Sequence, residues 1–331
     1  MLKKARKERH IWLDIMITLL TLELMSYFYY GIRSVVLACV CTVTALLAEI
    51  ISLRMMKRKF SADDLTCTSD ALILALMFPA VMKYKIALIA VLFAIIVAKN
   101  VFGGRLNMIF SPAAAAYIFV LTSWDRDLLQ YTAPHVKTGV FDEPEVLVSS
   151  ASHTFDLTGN IDHTDFEILL GNFSGPSGAV SILLLAVAAV VLMFRRSISV
   201  GAFIGTMFGT GFFAVVTPIV SSRSDSLKYS LVTNMVLFTA VYIVSDVRIA
   251  PKRNYYAFFY GLFIGVISYV LVLTSAKENA IVIVSVLFTP IALGFKNLEK
   301  KIDIAVQEHK DSDENEVEAA SLVGEEAAVN E

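Results

Sequence analysis

Apolar residues along this chain fall into long runs separated by short polar, often basic, connections. A helix needs about 20 apolar residues to cross a hydrocarbon layer of ~30 Å. On that measure the candidate spans are 11–30, 34–53, 69–83, 85–101, 112–124, 177–194, 197–220, 229–245, 255–274 and 279–295. The pattern predicts an all-α, polytopic membrane protein with about ten transmembrane helices. Two runs are short: 69–83 is interrupted by Pro79, and 112–124 begins at Pro112. Broken backbone at membrane depth is tolerated only where protein or a cavity covers it, so this half is expected to meet a ligand or partner.

Lys and Arg placement orients the spans. With the basic N-terminus (Lys3, Lys4, Arg6, Lys7, Arg9) inside, alternating crossings keep Arg54, Lys57, Arg58 and Lys59 inside, with Lys99 and Arg105, Arg195 and Arg196, Arg248, Lys252 and Arg253, and Lys296, Lys300 and Lys301. The external connections carry fewer cations, and an even number of crossings returns the C-terminus to the cytoplasm. The expected organisation is a basic cytoplasmic segment 1–10, a first helical half 11–124 of five spans, an extracytoplasmic loop 125–176, a second half 177–303 of five spans, and an acidic disordered tail 304–331. The first run is read as a retained helix, because it ends in aromatics without a small-residue cleavage site.

Composition sharpens this picture. Of 331 residues, 56% are hydrophobic and only 18% charged; that apolar share exceeds what a soluble domain buries, so lipid is the natural solvent and no nucleic-acid partner is expected. Cys39, Cys41 and Cys67 form no CxxC or Cys/His cluster and read as small apolar residues rather than metal ligands. His135, His153 and His163 share the external loop without metal-ligand spacing. Glu23 and Glu49 are acids within apolar runs; either marks a polar path, while Glu49 also lies within snorkelling reach of Arg54.

The richest stretch is Lys99 to Ala113. Gly103 and Gly104 permit a tight turn or close approach to a ligand, and Ser111-Pro112 suits the start of a helix. Asp246 ends an apolar run and reads either as a site residue or as an interfacial acid paired with Arg248 or Lys252.

These residues carry a resemblance. Ser69-Asp70-Ala71-Leu72 through Pro79, then Lys99, Phe102, Gly103, Gly104, Phe110, Pro112 and Ala113, resemble the D-type subunit of the Rnf electron-transport complex and the homologous B-type subunit of the sodium-pumping NADH:quinone reductase. Leu169-Leu170-Gly171-Asn172, Ser177-Gly178-Ala179, Val244-Ser245-Asp246-Val247 and Asn279 with Pro290 continue it in order, from about residue 60 to 300. The resemblance implies ten spans in the inner membrane, no complete catalytic apparatus in this chain alone, and cofactor-binding roles for Gly103, Gly104, Asp246 and a loop threonine. In that family the loop threonine of an S-G-A-T motif is esterified to FMN by a separate flavin transferase. Here Ala151-Ser152-His153-Thr154 keeps the acceptor, as Thr154, but not the Gly and Ala, whereas an alignment through Asp156-Leu157-Thr158-Gly159 puts Ile161 at the acceptor position. Ala179 stands where the family has Glu, and Val247 where it has Pro. The implied function is a membrane component of a redox-driven ion-translocating complex, passing electrons by flavin with coupled sodium or proton movement. Its implied partners are the other subunits, a flavin-bearing extracytoplasmic one among them, and membrane lipid. The alternative is a flavin-free carrier, or a membrane anchor, on the same scaffold.

Overall fold

The computed structural model describes residues 2–104, 108–136, 138–142, 146–159, 164–219, 222–275 and 277–307, the side chains of 2–9 and 62 excepted. Arg105, Leu106, Ile161, His163 and the acidic stretch 308–331 lie outside the described residues.

Every predicted run carries a helix. In the first half these are α1 (Leu2–Tyr30), α2 (Ile32–Met55), α3 (Thr66–Met77), α4 (Tyr84–Val101) and α5 (Pro112–Ser123). The loop contributes three short helices: α6 (Asp125–Leu128), α7 (Ala151–Thr158) and α8 (Asp165–Leu170). The second half holds α9 (Ile182–Phe194), α10 (Val200–Val216), α11 (Arg223–Val232), α12 (Val236–Val244), α13 (Asn254–Ser275), α14 (Ala280–Leu287) and α15 (Thr289–Gln307). The last helix therefore runs past residue 303, where the tail was expected to begin.

Length separates these helices into classes. Four are long and apolar enough to cross a membrane, and the bent pairs α11–α12 (52°) and α14–α15 (43°) raise the number to six among the described residues. α3, of 12 residues, reaches only ~18 Å at 1.5 Å per residue. It stops because Phe78 is extended ahead of Pro79.

Its freed carbonyls are met by the second half. Gly178 N–H donates to the Leu76 carbonyl at 2.8 Å, and Ser177 N–H donates to that of Phe78 at 3.1 Å. A Cβ on Gly178 would lie 2.6 Å from the Leu76 Cβ. The Ser177-Gly178-Ala179 segment thus serves as the missing continuation of α3, and a short helix becomes tolerable inside a bundle.

α10 and α13 approach backbone to backbone. Cβ atoms added at Gly205 or Gly261 would collide with the carbonyls of Phe258 and Ala202, and one at Gly209 would sit 2.6 Å from that of Leu262. Small residues at four-residue spacing allow this approach, which van der Waals packing alone rewards in lipid. The loop between α5 and α9 is tied down over the helix ends. Tyr29 and Tyr84 donate to the carbonyls of Leu170 and Val140 at 3.0 and 2.8 Å, and His135 N–H donates to that of Tyr29 at 2.9 Å.

Candidate functional site

At one end of α13, three segments bring charges together. Asp70 sits in the first half of α3, and Asp246 and Arg248 in the turn after α12. Arg248 Nη2 lies 2.6 Å from Asp70 Oδ1 and 2.7 Å from Asp246 Oδ2. Arg248 Nε adds a bond to Asp246 Oδ2 at 2.8 Å. Both carboxylates are buried. Lys296 of α15 donates to the Arg248 carbonyl at 2.9 Å, and Glu299 accepts from the Lys252 and Arg253 amides at 3.1 and 2.8 Å, capping the start of α13. A planar guanidinium can bridge two carboxylates, where an ammonium meets them as a point charge. Beside this cluster opens a cavity of about 390 Å³, lined by Trp12, Thr66, Ser69, Tyr242, Asp246, Arg248 and Lys296 among others.

A second buried charge pair adjoins it. Lys99 Nζ lies 3.0 Å from Glu49 Oε1, with side chains 0% and 2% exposed. Asn100 Nδ2 donates to Glu49 Oε2 at 3.1 Å. Glu49 is therefore turned into the bundle toward α4 rather than snorkelling to Arg54. The last nine residues of α4 widen into i→i+5 bonding, a distortion frequent at functional sites. The turn that follows closes by Gly104 N–H donating to the Lys99 carbonyl at 2.9 Å, with φ of 112° at Gly103 and 68° at Gly104. A Cβ at Gly104 would meet only Asn100 Oδ1, at 3.9 Å, so the left-handed backbone, not crowding, calls for glycine there. Ser111 caps α5, accepting from Ala114 N–H at 3.4 Å ahead of Pro112. Cys67 lies within electrostatic range of Lys99, Glu49 and Asp70, so the two charge clusters share the start of α3.

The opposite end of α13 carries a different site. Glu278 is buried, and Tyr131 donates to its Oε1 at 3.0 Å while Ser150 donates to its Oε2. Burial pushes the Glu278 carboxyl up from its ordinary value, while Ser150, Tyr131 and the nearby His153 hold it down in part. Tyr117 donates to Asn279 Oδ1 at 2.7 Å. A cavity of about 550 Å³ opens here, lined by Asp125, Arg126, Gln130, His153, Lys277 and Glu278 among others. Thr154, next to His153 on α7, is half-buried, and its hydroxyl donates to the Ser150 carbonyl at 3.2 Å. The volume falls in the range of cofactor pockets. Arg126 and Lys277 supply two cations to that lining, which an anionic group such as a phosphate would need, while Thr154 stands beside the lining residue His153 rather than in the wall itself.

Thr154 and Asp246 are thus not brought together. α13, of 22 residues, separates their two ends by ~33 Å at 1.5 Å per residue.

The model of the NQR2, RnfD, RnfE family matches residues 1–294. The chain belongs to that family. The D-type subunit of an ion-translocating oxidoreductase complex from Alcanivorax borkumensis is 24% identical over 261 residues, 73% of this chain and 76% of the relative. The D-type subunit of a Na(+)-translocating ferredoxin:NAD(+) oxidoreductase complex from Acetobacterium woodii is 24% identical over 188 residues, 56% of this chain and 58% of the relative. Its counterpart in an ion-translocating oxidoreductase complex from Shewanella amazonensis is 28% identical over 129 residues, and there the match covers 37% of each chain.

Membership in the NQR2, RnfD, RnfE family bears out the family resemblance read from the sequence. Sequence reasoning missed three features of this member: Asp70 as partner of Arg248, Lys99 as partner of Glu49, and Glu278 as a buried acid. The first two lay inside recognised motifs. The signal for the third was a carboxylate directly before Asn279 at the start of an apolar run.

Proposed function

We propose that this chain is a multi-pass inner-membrane component of a redox-driven ion-translocating oxidoreductase complex, working with other subunits, a flavin-bearing extracytoplasmic one among them. The observation that carries this reading is the Asp70–Arg248–Asp246 cluster beside its cavity, in a chain of this family. Intramembrane charges are costly and mark ion paths. Two carboxylates share one guanidinium there, so one negative charge is left for Lys296 or for a cation entering the cavity.

Electron transfer is assigned to the other end. FMN bound there would supply one- and two-electron redox chemistry, while the chain supplies position and electrostatics. Thr154 would carry the phosphoester, installed by a flavin transferase. Arg126 and Lys277 would balance its phosphate, and the Tyr131–Ser150–Glu278 network would hold α7 against α14. Gly103 and Gly104 shape the turn after Lys99.

The test is ultraviolet in-gel fluorescence of the denatured chain produced with its transferase. A fluorescent band abolished by Thr154→Ala supports the reading, and sodium uptake by the reconstituted complex, lost in Arg248→Met, supports its ion-moving half. A dark band with the transferase present would sink the covalent flavin. That outcome favours the second reading, a flavin-free carrier or anchor. Two sequence features argue for it: Ala179, buried where the resembled pattern has Glu, and the lost S-G-A-T motif.

A further inference from the structure

The break between α11 and α12 gathers oxygen atoms that nothing above uses. Asn234 and Met235, in the break, have φ of 57° and 55°. This left-handed conformation is tolerated by Asn and unfavourable for Met, so packing must impose it. The break docks under α7: Asn234 N–H donates to Ser152 Oγ at 3.0 Å, and Asn234 Nδ2 donates to Asp156 Oδ1 at 3.1 Å. Asp156 Oδ1 accepts from the amide nitrogen, which leaves Asn234 Oδ1 outside that contact; burial raises the Asp156 carboxyl to about 7, so it carries its full charge only above that pH. Asn234 and Ser230 are 3% and 2% exposed. Asn234 Oδ1 and Asp156 Oδ2 are buried without a hydrogen-bond partner among the described residues, and Ser230 Oγ, equally buried, has only the Tyr269 hydroxyl in loose reach.

Asn234 and Ser230 line a cavity of about 10 Å³ with Thr210, Ser268 and Tyr269. Its walls are rich in acceptors. Ser268 and Thr210 commit their hydroxyl protons to the Gly265 carbonyl at 2.9 and 3.4 Å, and Tyr269 commits its own to that of Thr217 at 2.7 Å. What these groups turn inward is lone pairs. The space admits one occupant of about the size of a water molecule. The wall holds neutral oxygens together with Val236, Val272 and Ile281, and the Asp156 carboxyl stands behind Asn234 rather than in the wall; a site so poor in carboxylates suits a monovalent cation, because divalent ions draw on more of them. Unwound helices supply such sites in transporters.

We propose that the α11–α12 break binds one small monovalent cation of sodium size through Asn234 Oδ1 and Ser230 Oγ, with Asp156 as the counter-charge. The site gives the ion-translocation reading a specific stopping point and rests on that reading for its purpose, though not for its existence.

The test is equilibrium binding of radioactive sodium to the purified full-length chain in nanodiscs, at constant ionic strength set with choline. Saturable binding of about one sodium per chain is expected, weakened tenfold or more by Ser230→Ala and by Asp156→Asn. Both variants keep the local shape, and circular dichroism checks their fold. Potassium should compete at least tenfold more weakly than sodium. No saturable binding by the wild-type chain, equal binding by both folded variants, or potassium competing as well as sodium would overturn the proposal and leave a buried water as the occupant. Sodium uptake by the reconstituted complex is read separately: binding without uptake keeps the site and removes the translocation reading, whereas uptake without binding does the reverse.

Discussion

Removing Lys99 tests whether a buried charge pair organises the first half. The ammonium and carboxylate are 3.0 Å apart and shielded from solvent. At an effective dielectric of ~20 their attraction is about 5–6 kcal/mol. Desolvation costs several kcal/mol per ion, so the pair is worth little against an apolar pair of the same shape. A lone survivor is different. Lys99→Met leaves Glu49 with Asn100 as its remaining hydrogen-bond donor, and the expected loss is about 3–5 kcal/mol. Adding Glu49→Gln removes the charge yet keeps an acceptor for Asn100, and should recover stability to within about 1.5 kcal/mol of wild type, the scale of one net hydrogen bond. The assay is denaturant unfolding in detergent micelles, followed by the fluorescence of Trp12 and Trp124. A loss below about 1 kcal/mol in the single variant, or a double variant no more stable than it, would refute the reasoning.

Arg248→Lys should fail to restore ion uptake by the assembled complex, because one ammonium does not replace a guanidinium that bridges Asp70 and Asp246. Gly209→Ala should destabilise the chain by about 1–3 kcal/mol through collision with the Leu262 carbonyl. Gly294→Ala, on α15 with nothing within 4 Å, should be neutral or stabilising by about 0.5–1 kcal/mol in the same unfolding assay. Glu278→Leu should cost about 1–3 kcal/mol by leaving Tyr131 and Ser150 without their acceptor, while Glu278→Gln should cost less. The Glu278 carboxyl is pushed up by burial, so the folded chain binds its proton more tightly than the unfolded chain. Its contribution is full below the unfolded value of about 4.3 and is lost as pH rises through the higher folded value. Thermal unfolding as a function of pH should therefore show a decline over that window in wild type that is flattened in Glu278→Gln.

Hydropathy by itself determined where the helices are, because the demand for about 20 apolar residues acts on contiguous sequence. Local chemistry determined the Ser111 cap, the left-handed glycine turn at Gly103-Gly104 and the end of α3 at Pro79, each decided within a few residues. The pairing of Asp246 with Arg248, two positions away, was open to sequence reading for the same reason. What tertiary structure decided are the meetings of distant segments. Glu49 had Arg54 nearby in sequence, yet its partner is Lys99, because α2 packs its Glu49 face against the widened end of α4. Asp70 finds Arg248 across 178 positions, and the α3 carbonyls find Ser177 and Gly178 about a hundred positions on. The number of full crossings also belonged to the tertiary level. A run's apolarity says that it is shielded from water, but whether lipid or neighbouring helices shield it depends on packing. The chain carries its helices in its hydropathy and its chemistry in the contacts between them, since only packing brings carboxylates, cations and unwound backbone from separate spans within hydrogen-bond reach.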